Sequence, residues 1–385
     1  MMRRIAPVLV GLLAIGTPSV NAADIVDSLK VLLAVGPRGQ GHAAASKAWQ
    51  NVVAADASSL PTVLASLDSA GPLAANWIHA AVDSIAERQL QSGGPSSAPA
   101  LEKFLLDTKH SPRARRLAFD WLTRFDPSAP DRLIPGFLHD PSVELRRDAV
   151  SRLVKEADGL LKNADQDDPK KQQAATVLQT AFSGARDLDQ IQDLTKSLKE
   201  LGIEVDLPRH FGFLMKWKLI GPFDNTNESA FDIAFPPETE IDFKAKYPGK
   251  GREVAWIDHE TEDAYGKVNL NEALGKANGV VGYAVTDFTS PREQEVEFRL
   301  GCICACKVWL NGRLVDGHKV YHSGSQVDQY ISRATLQAGE NRILVKVLQN
   351  EQTEKWAQDW EFQLRICDSA GTAILSQDRL AKRTP

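Results

Sequence analysis

The chain has 385 residues, 43% of them hydrophobic, with a net charge of -5 and four cysteines. That length exceeds one average domain, so two folded units are the expectation. The mild negative charge argues against a dedicated nucleic-acid binder, which carries a basic face or domain.

The N-terminus has the pattern of a signal peptide. Arg3 and Arg4 form a positive start, Ile5 to Ile15 is apolar but too short to span a bilayer, and Val20-Asn21-Ala22 places small residues where cleavage occurs. Cleavage after Ala22 is expected, giving an exported protein, periplasmic or extracellular, with no lipid-bearing N-terminal cysteine. No later apolar run is long enough for a transmembrane segment. Export makes a disulfide chemically allowed. The candidates are Cys302, Cys304, Cys306 and Cys367, all in the C-terminal half. Alternate residues on a strand lie about 6.6 Å apart, near the upper limit of bridge geometry, so a cross-strand bridge to Cys367 is the easier pairing. Zinc needs four convergent ligands, and no histidine is interleaved among these cysteines.

Residues 23–205 read as helical. Ile25 to Ala34, Ala43 to Ala55, Leu60 to Leu67 and Leu73 to Leu90 carry apolar residues at helical spacing, with Pro61 and Pro72 at helix starts. An internal repeat follows. Ser111 to Leu122 aligns with Ser142 to Leu153, matching at Ser, Arg-Arg, Ala and Leu. A period in the thirties with helical content signals a solenoid. Asp140-Pro141 is expected as an N-cap followed by proline at the first helical position. The segment resembles short HEAT-like repeats, whose motif is Asp-Pro-x-Val-x-x-Arg-x-x-Ala. Asp140, Pro141, Val143, Arg146 or Arg147, and Ala149 match it, while His110-Ser111-Pro112 departs. The paired arginines are expected to pack between helices and meet acidic neighbours. A polar charged loop begins at Asn163, and Gln172 to Phe182 and Leu188 to Leu201 form a last helical hairpin.

From His210 the period changes to that of strands. Phe213 to Ile220, Val254 to Ile257, Gly282 to Thr286, Val296 to Leu300, Cys306 to Leu310, Arg342 to Leu348 and Trp360 to Ile366 are candidates, with Gly221 to Asn225 expected as a break. Cys306 to Val315 reads as a β-hairpin, since Asn311-Gly312 fits a tight turn with positive φ at both central positions. Residues 206–376 are expected as a sandwich or jelly roll, with 377–385 as a tail. Val308-Trp-Leu-Asn-Gly312, followed by Leu336-x-x-Gly339-x-Asn341-x-Ile343-x-Val345, resembles the galactose-binding-like β-sandwich, within it the sugar-binding domain of glycoside hydrolase family 2. Trp217-Lys-Leu-Ile-Gly-Pro-Phe223 is also similar to a motif of exported planctomycete-type proteins. The fold class expected is multidomain α + β: an N-terminal α-solenoid of HEAT-like hairpins, then an antiparallel β-sandwich.

Aromatic faces stack on the C–H faces of sugars while polar neighbours fix the hydroxyls. Trp309, Asn311 and Trp356 are therefore the candidate ligand-binding residues, with packing in the core as the competing role for the rings. Asp224, Asn225, Glu228 and Asp232 offer hard oxygen atoms in one loop, a set suited to a structural Ca²⁺, although the spacing is not that of an EF-hand. His318 and His322 stand four apart, but in strand or loop context and without the glutamate of a zinc protease. Carboxylates such as Glu238, Glu240 and Asp242 are plentiful, yet nothing in the sequence makes a pair converge on one bond. The family resemblance implies the fold more than a ligand, because many such modules bind no sugar and act as packing domains, and family 2 enzymes carry their catalytic acids on a separate barrel. Three readings follow. The first is recognition of a carbohydrate or cell-surface glycan by the sandwich, with a protein partner on the solenoid. The second is a purely structural interaction module. The third is a hydrolase with an unrecognised site.

Overall fold

The computed structural model describes residues 22–93, 96–162 and 169–380. The expected signal peptide lies outside the described residues, apart from Ala22. The chain divides into two compact units, Met1–Asp187 and Leu188–Pro385.

The first unit is helical throughout its described part. Helices α1 (Ala22–Leu33) and α2 (His42–Val53) pack together, as do α3 (Leu60–Ala65) and α4 (Pro72–Ser92), and α5 (Ala98–Leu106) and α6 (Pro112–Phe125). A short helix α7 (Ala129–Leu133) leads to α8 (Val143–Leu161), which packs on α9 (Pro169–Gly184). The two copies of the repeat begin alike. Ser111 caps α6 by accepting from the Ala114 amide, and Ser142 caps α8 by accepting from the Leu145 amide. The expected cap at Asp140 is thus corrected: Ser142 takes that place, and Pro141 precedes it. Asp140 has another task. Its carboxylate accepts both arms of the Arg115 guanidinium at 2.7 and 2.6 Å, and also the Ser142 amide at 2.7 Å. Arg115 also donates to the Leu105 carbonyl, and Arg146 to the Asp140 carbonyl. Each copy is tied to the other through buried charge. The outer arginines pair with acids as expected: Arg116 with Asp120 and Asp148, and Arg147 with Asp187.

The second unit opens with α10 (Leu188–Glu200) and α11 (Leu207–Phe211) and then turns to strands. These are β1 (Lys216–Asp224), helix α12 (Pro236–Thr239), β2 (Lys246–Pro248), β3 (Glu253–Ala255), β4 (Ile257–Glu260), β5 (Val268–Asn269) and helix α13 (Leu270–Leu274). The long strands follow: β6 (Val280–Ser290), β7 (Gln294–Cys302), β8 (Ala305–Leu310), β9 (Arg313–His318), β10 (Tyr330–Leu336), β11 (Gly339–Gln349), β12 (Glu361–Cys367), and a last helix α14 (Gln377–Leu380). They form a six-stranded sheet in the order β4-β1-β6-β11-β8-β9 and a four-stranded sheet β10-β7-β12-β5, with β2 and β3 as a small ribbon. Every pairing is antiparallel.

The six-stranded sheet is buried on both faces, which is why its central strands read as nearly continuous apolar runs. On β11, Ile343, Val345 and Val347 enter the core between the sheets, beside Phe298, Leu300 and Phe362. Leu344 and Leu348 enter a second core on the outer face, with Ile220, Phe223 and Tyr283. Gly282 near the start of β6 lies against the buried Trp360 ring, where a Cβ would come within 2.7 Å of Cζ2. Gly221 to Asn225 does not break β1. The strand continues to Asp224, and a register shift between Ile220 and Phe223 absorbs the glycine-proline pair.

Candidate functional site

The β8–β9 hairpin forms as the sequence requires, with Asn311 at φ 52° and Gly312 at φ 78°. That turn also consumes the Asn311 side chain. Its Nδ2 donates to Asn341 Oδ1 at 3.0 Å and its Oδ1 accepts the Arg342 amide at 2.8 Å, stitching the turn to β11. Trp309, two residues earlier, faces the outer core and is half-buried there with Phe231 and Phe235. Lys307 on the same face lies over the Phe231 ring and pairs with Asp232 at 3.0 Å.

Trp356 is different. It sits on a short turn, Lys355–Ala357, and is 62% exposed. Its ring meets His322 at 5.4 Å between centroids, nearly perpendicular, which leaves much of the indole open to solvent. Under it lies a polar network centred on Asn350, a buried residue at the end of β11. Asn350 Oδ1 is 2.9 Å from His322 Nε2, and its Nδ2 donates to Glu228 Oε1 at 3.2 Å and Gln352 Oε1 at 3.0 Å. Asn227 donates its amide to Glu351 at 3.0 Å. His322 Nδ1 is buried without a partner among the described residues. With Nε2–H donated to Asn350, that nitrogen is an acceptor. Three non-glycine residues here, Asn227, Glu228 and His322, hold φ between 53° and 57°. Such backbone costs free energy for side chains with a Cβ, and it persists where the surroundings fix it. The surroundings here are the Asn350 network.

The three ligand candidates are therefore not one site. Ser323, next to His322, donates its amide to Ile303 just before β8, whereas Asn311 follows the end of that strand. The six residues of β8 separate the two ends by roughly 20 Å.

The four residues of the candidate calcium loop each have other partners. Asp224 is held by Thr226 and Lys250, whose hydrogen bonds keep its carboxyl below the usual range. Asn225 is fully buried, donates to Tyr321 and the Gln349 carbonyl, and accepts from Ala230. Glu228 turns to Asn350, and Asp232 to Lys307, which lowers its pKa. The four oxygens point to four different partners, and no metal-holding group of acids, histidines or cysteines occurs among the described residues.

The disulfide is corrected too. All four cysteines are buried free thiols. Strand register gives the reason for Cys367: Phe362 pairs with Cys302, and Cys367 with Glu297, so the two cysteines lie at opposite ends of the β7–β12 pair. Five residues of strand put them roughly 17 Å apart. Cys304 donates to Gln349 Oε1 and the Asp359 carbonyl, under the turn that carries Trp356. His318 and His322 also part company. His318 stacks on Tyr330 and pairs with Asp316 at 3.0 Å, away from the Trp356 turn. Ser332, Asp316 and His318 are linked, but with the carboxylate in the middle. A nucleophilic triad needs the imidazole there. Among the carboxylates, Glu238 is committed to Lys346 and Tyr283 in the outer core, and Asp258 to Lys218.

Sequence reasoning singled out Trp356, but it placed Glu228 among the calcium candidates, set His322 aside as a metal ligand, and gave no role to Asn350 or Gln352. Residues 228, 322 and 350 are far apart in the chain, and only the fold brings them together.

Among the described residues no helix is long and apolar enough to cross a membrane. No family model and no curated protein matches the chain. Solved structures similar to it include carbohydrate-binding and glycosidase domains. An anti-sigma factor domain-containing protein from Clostridium clariflavum is 10% identical over 43% of this chain and 45% of its own, with a TM-score of 0.25. A beta-glucuronidase from Faecalibacterium prausnitzii is 18% identical over 36% of this chain and 21% of its own, with a TM-score of 0.23. A family 35 carbohydrate binding module from Clostridium thermocellum is 16% identical over 26% of this chain and 85% of its own, with a TM-score of 0.16. The chain thus spans less than half the length of the first two.

Proposed function

We propose that this is an exported, non-catalytic recognition protein whose β-sandwich binds carbohydrate at the Trp356 turn. The observation that carries the reading is the open indole of Trp356 above the Asn350 network. An indole left mostly open to solvent offers a stacking face for a sugar. The amide, imidazole and carboxylate groups beneath it are the donors and acceptors that orient hydroxyls. Their strained backbone holds them ready before any ligand arrives.

The test is affinity electrophoresis of the mature chain through gels carrying a panel of neutral polysaccharides. Retardation by at least one polymer, abolished in Trp356→Ala and in Asn350→Ala but kept in Trp309→Phe, supports the site. Passage of folded protein through every gel without retardation counts against it. On the same reading the helical unit holds a protein partner, along the groove lined by Asn76, His79, Arg113 and Glu144. Solenoids present such grooves between successive hairpins. Hydrogen-exchange protection of α4 and α6 on adding the soluble envelope fraction tests this. Unchanged exchange there speaks against it.

A further inference from the structure

We propose that the cleft between the edge strands β9 and β10 is a second binding site, which takes the carboxylate or sulfate group of an acidic polysaccharide. β9 is the outermost strand of one sheet and β10 of the other, so the sandwich gapes between them. The gap holds a cavity of about 520 Å³ whose walls include Arg313 and Leu314 from β9, Arg333 and Thr335 from β10, and Glu293. The hydrogen bond from Ser332 to Asp316 joins the two strands and fixes the width of the cleft.

The two arginines are the reason for an anion. Neither guanidinium has an ion pair or hydrogen bond among the described residues, whereas those of Arg299, Arg342 and Arg365 in the same unit each pair with a carboxylate. The cross-strand neighbour of Arg333 is Glu297, and that carboxylate is already taken by Arg299 at 2.7 Å. The lining carries two arginines against one carboxylate, Glu293, so it is net positive and favours an oxyanion. Each guanidinium also presents a fixed fork of donors that matches carboxylate or sulfate oxygens. The remaining walls specify the rest of the ligand. Glu293 has no partner either, and with Thr335 it offers an acceptor and a donor for hydroxyls, which a bare inorganic anion lacks. Leu314 is 50% exposed and gives the C–H face of a sugar an apolar floor. The site lies at the Asn311 end of the sandwich, away from Trp356, and stands or falls separately.

The experiment is affinity electrophoresis of the full chain through gels containing dextran sulfate, polygalacturonate or plain dextran. The chain is itself net negative, at -5, which opposes general charge attraction to a polyanion, and the Lys276→Gln control reads what remains of it. Retardation is expected in at least one acidic gel and not in dextran, and the gel that responds tells sulfate from carboxylate. Arg313→Gln and Arg333→Gln are each expected to weaken it by about fivefold, the scale of one charge-assisted contact at a partly exposed site. Lys276→Gln removes the same charge from another exposed position and is expected to change nothing, as is Trp356→Ala. Matching thermal midpoints confirm that the variants are folded. The proposal is overturned if the folded wild-type chain passes both acidic gels freely. It is equally overturned if the double arginine variant binds as the Lys276→Gln variant does.

Discussion

Replacing Asp140 by alanine tests the join between the two helical repeats. Arg115 is only 1% exposed, and Asp140 takes both of its guanidinium arms at 2.7 and 2.6 Å. Removal of the carboxylate leaves a charged group in the core with one remaining acceptor, the Leu105 carbonyl. It also frees the Ser142 amide at the start of α8. Breaking a buried pair from one side costs about 3–5 kcal/mol, because the surviving charge stays desolvated. For a unit of this size that lowers the melting temperature by about 10 °C. The assay is thermal unfolding followed by far-ultraviolet circular dichroism, where helices dominate the signal. The double variant Arg115→Met with Asp140→Leu removes both charges and is expected to recover most of the loss. A shift of under about 2 °C in Asp140→Ala would refute the reasoning, as would a double variant no better than the single one.

Other predictions concern the β unit. Asn311→Ala removes two hydrogen bonds and a residue suited to positive φ, so it should cost about 1–2 kcal/mol in a urea melt, with Asn311→Gly milder and sugar binding at Trp356 unchanged. Loss of that binding in folded Asn311→Ala would contradict the separation of the two ends. Burial opposes ionisation of Asp328, but hydrogen bonds from Arg365 and Arg299 outweigh it and hold its carboxyl below the ordinary range. Its folded pKa then lies below the unfolded value, so its stabilisation is full above about pH 4 and is lost as pH falls through the folded value. Urea midpoints measured from neutral to acid pH should fall more steeply for the wild type than for Asp328→Asn, and parallel curves would count against this. Burial pushes the Cys367 thiol up to about 11 and those of Cys302 and Cys304 well above the ordinary range. A thiol reagent should therefore label the native protein slowly and find all four cysteines free after unfolding. Fewer than four would reveal a disulfide.

Much of the fold is legible in the chain because its signals are local. Alternation along Val308 to Leu310, the Asn311-Gly312 turn and the apolar run of β11 depend only on neighbours in sequence. The serines at 111 and 142 mark two helix starts in the same way. Where the sequence misleads, a long-range partner decides. Asp140 looks like a cap until Arg115 arrives from the preceding repeat. Gly221-Pro222 looks like a break until β6 holds the strand across it. The acids between 224 and 232 look like calcium ligands until Lys250, Asn350 and Lys307 claim them one by one. The exposed Trp356 could be picked out by its polar surroundings in sequence, but its supporting shell is assembled from three distant loops.

The measurement that bears most directly on this account is a glycan-array screen of the mature protein, run beside Trp356→Ala and Trp309→Ala. The account predicts at least one glycan that binds the wild type, loses the Trp356→Ala variant, and keeps Trp309→Ala wherever that variant is folded. Binding that survives in Trp356→Ala, or a well-folded wild type that recognises no glycan, would contradict it.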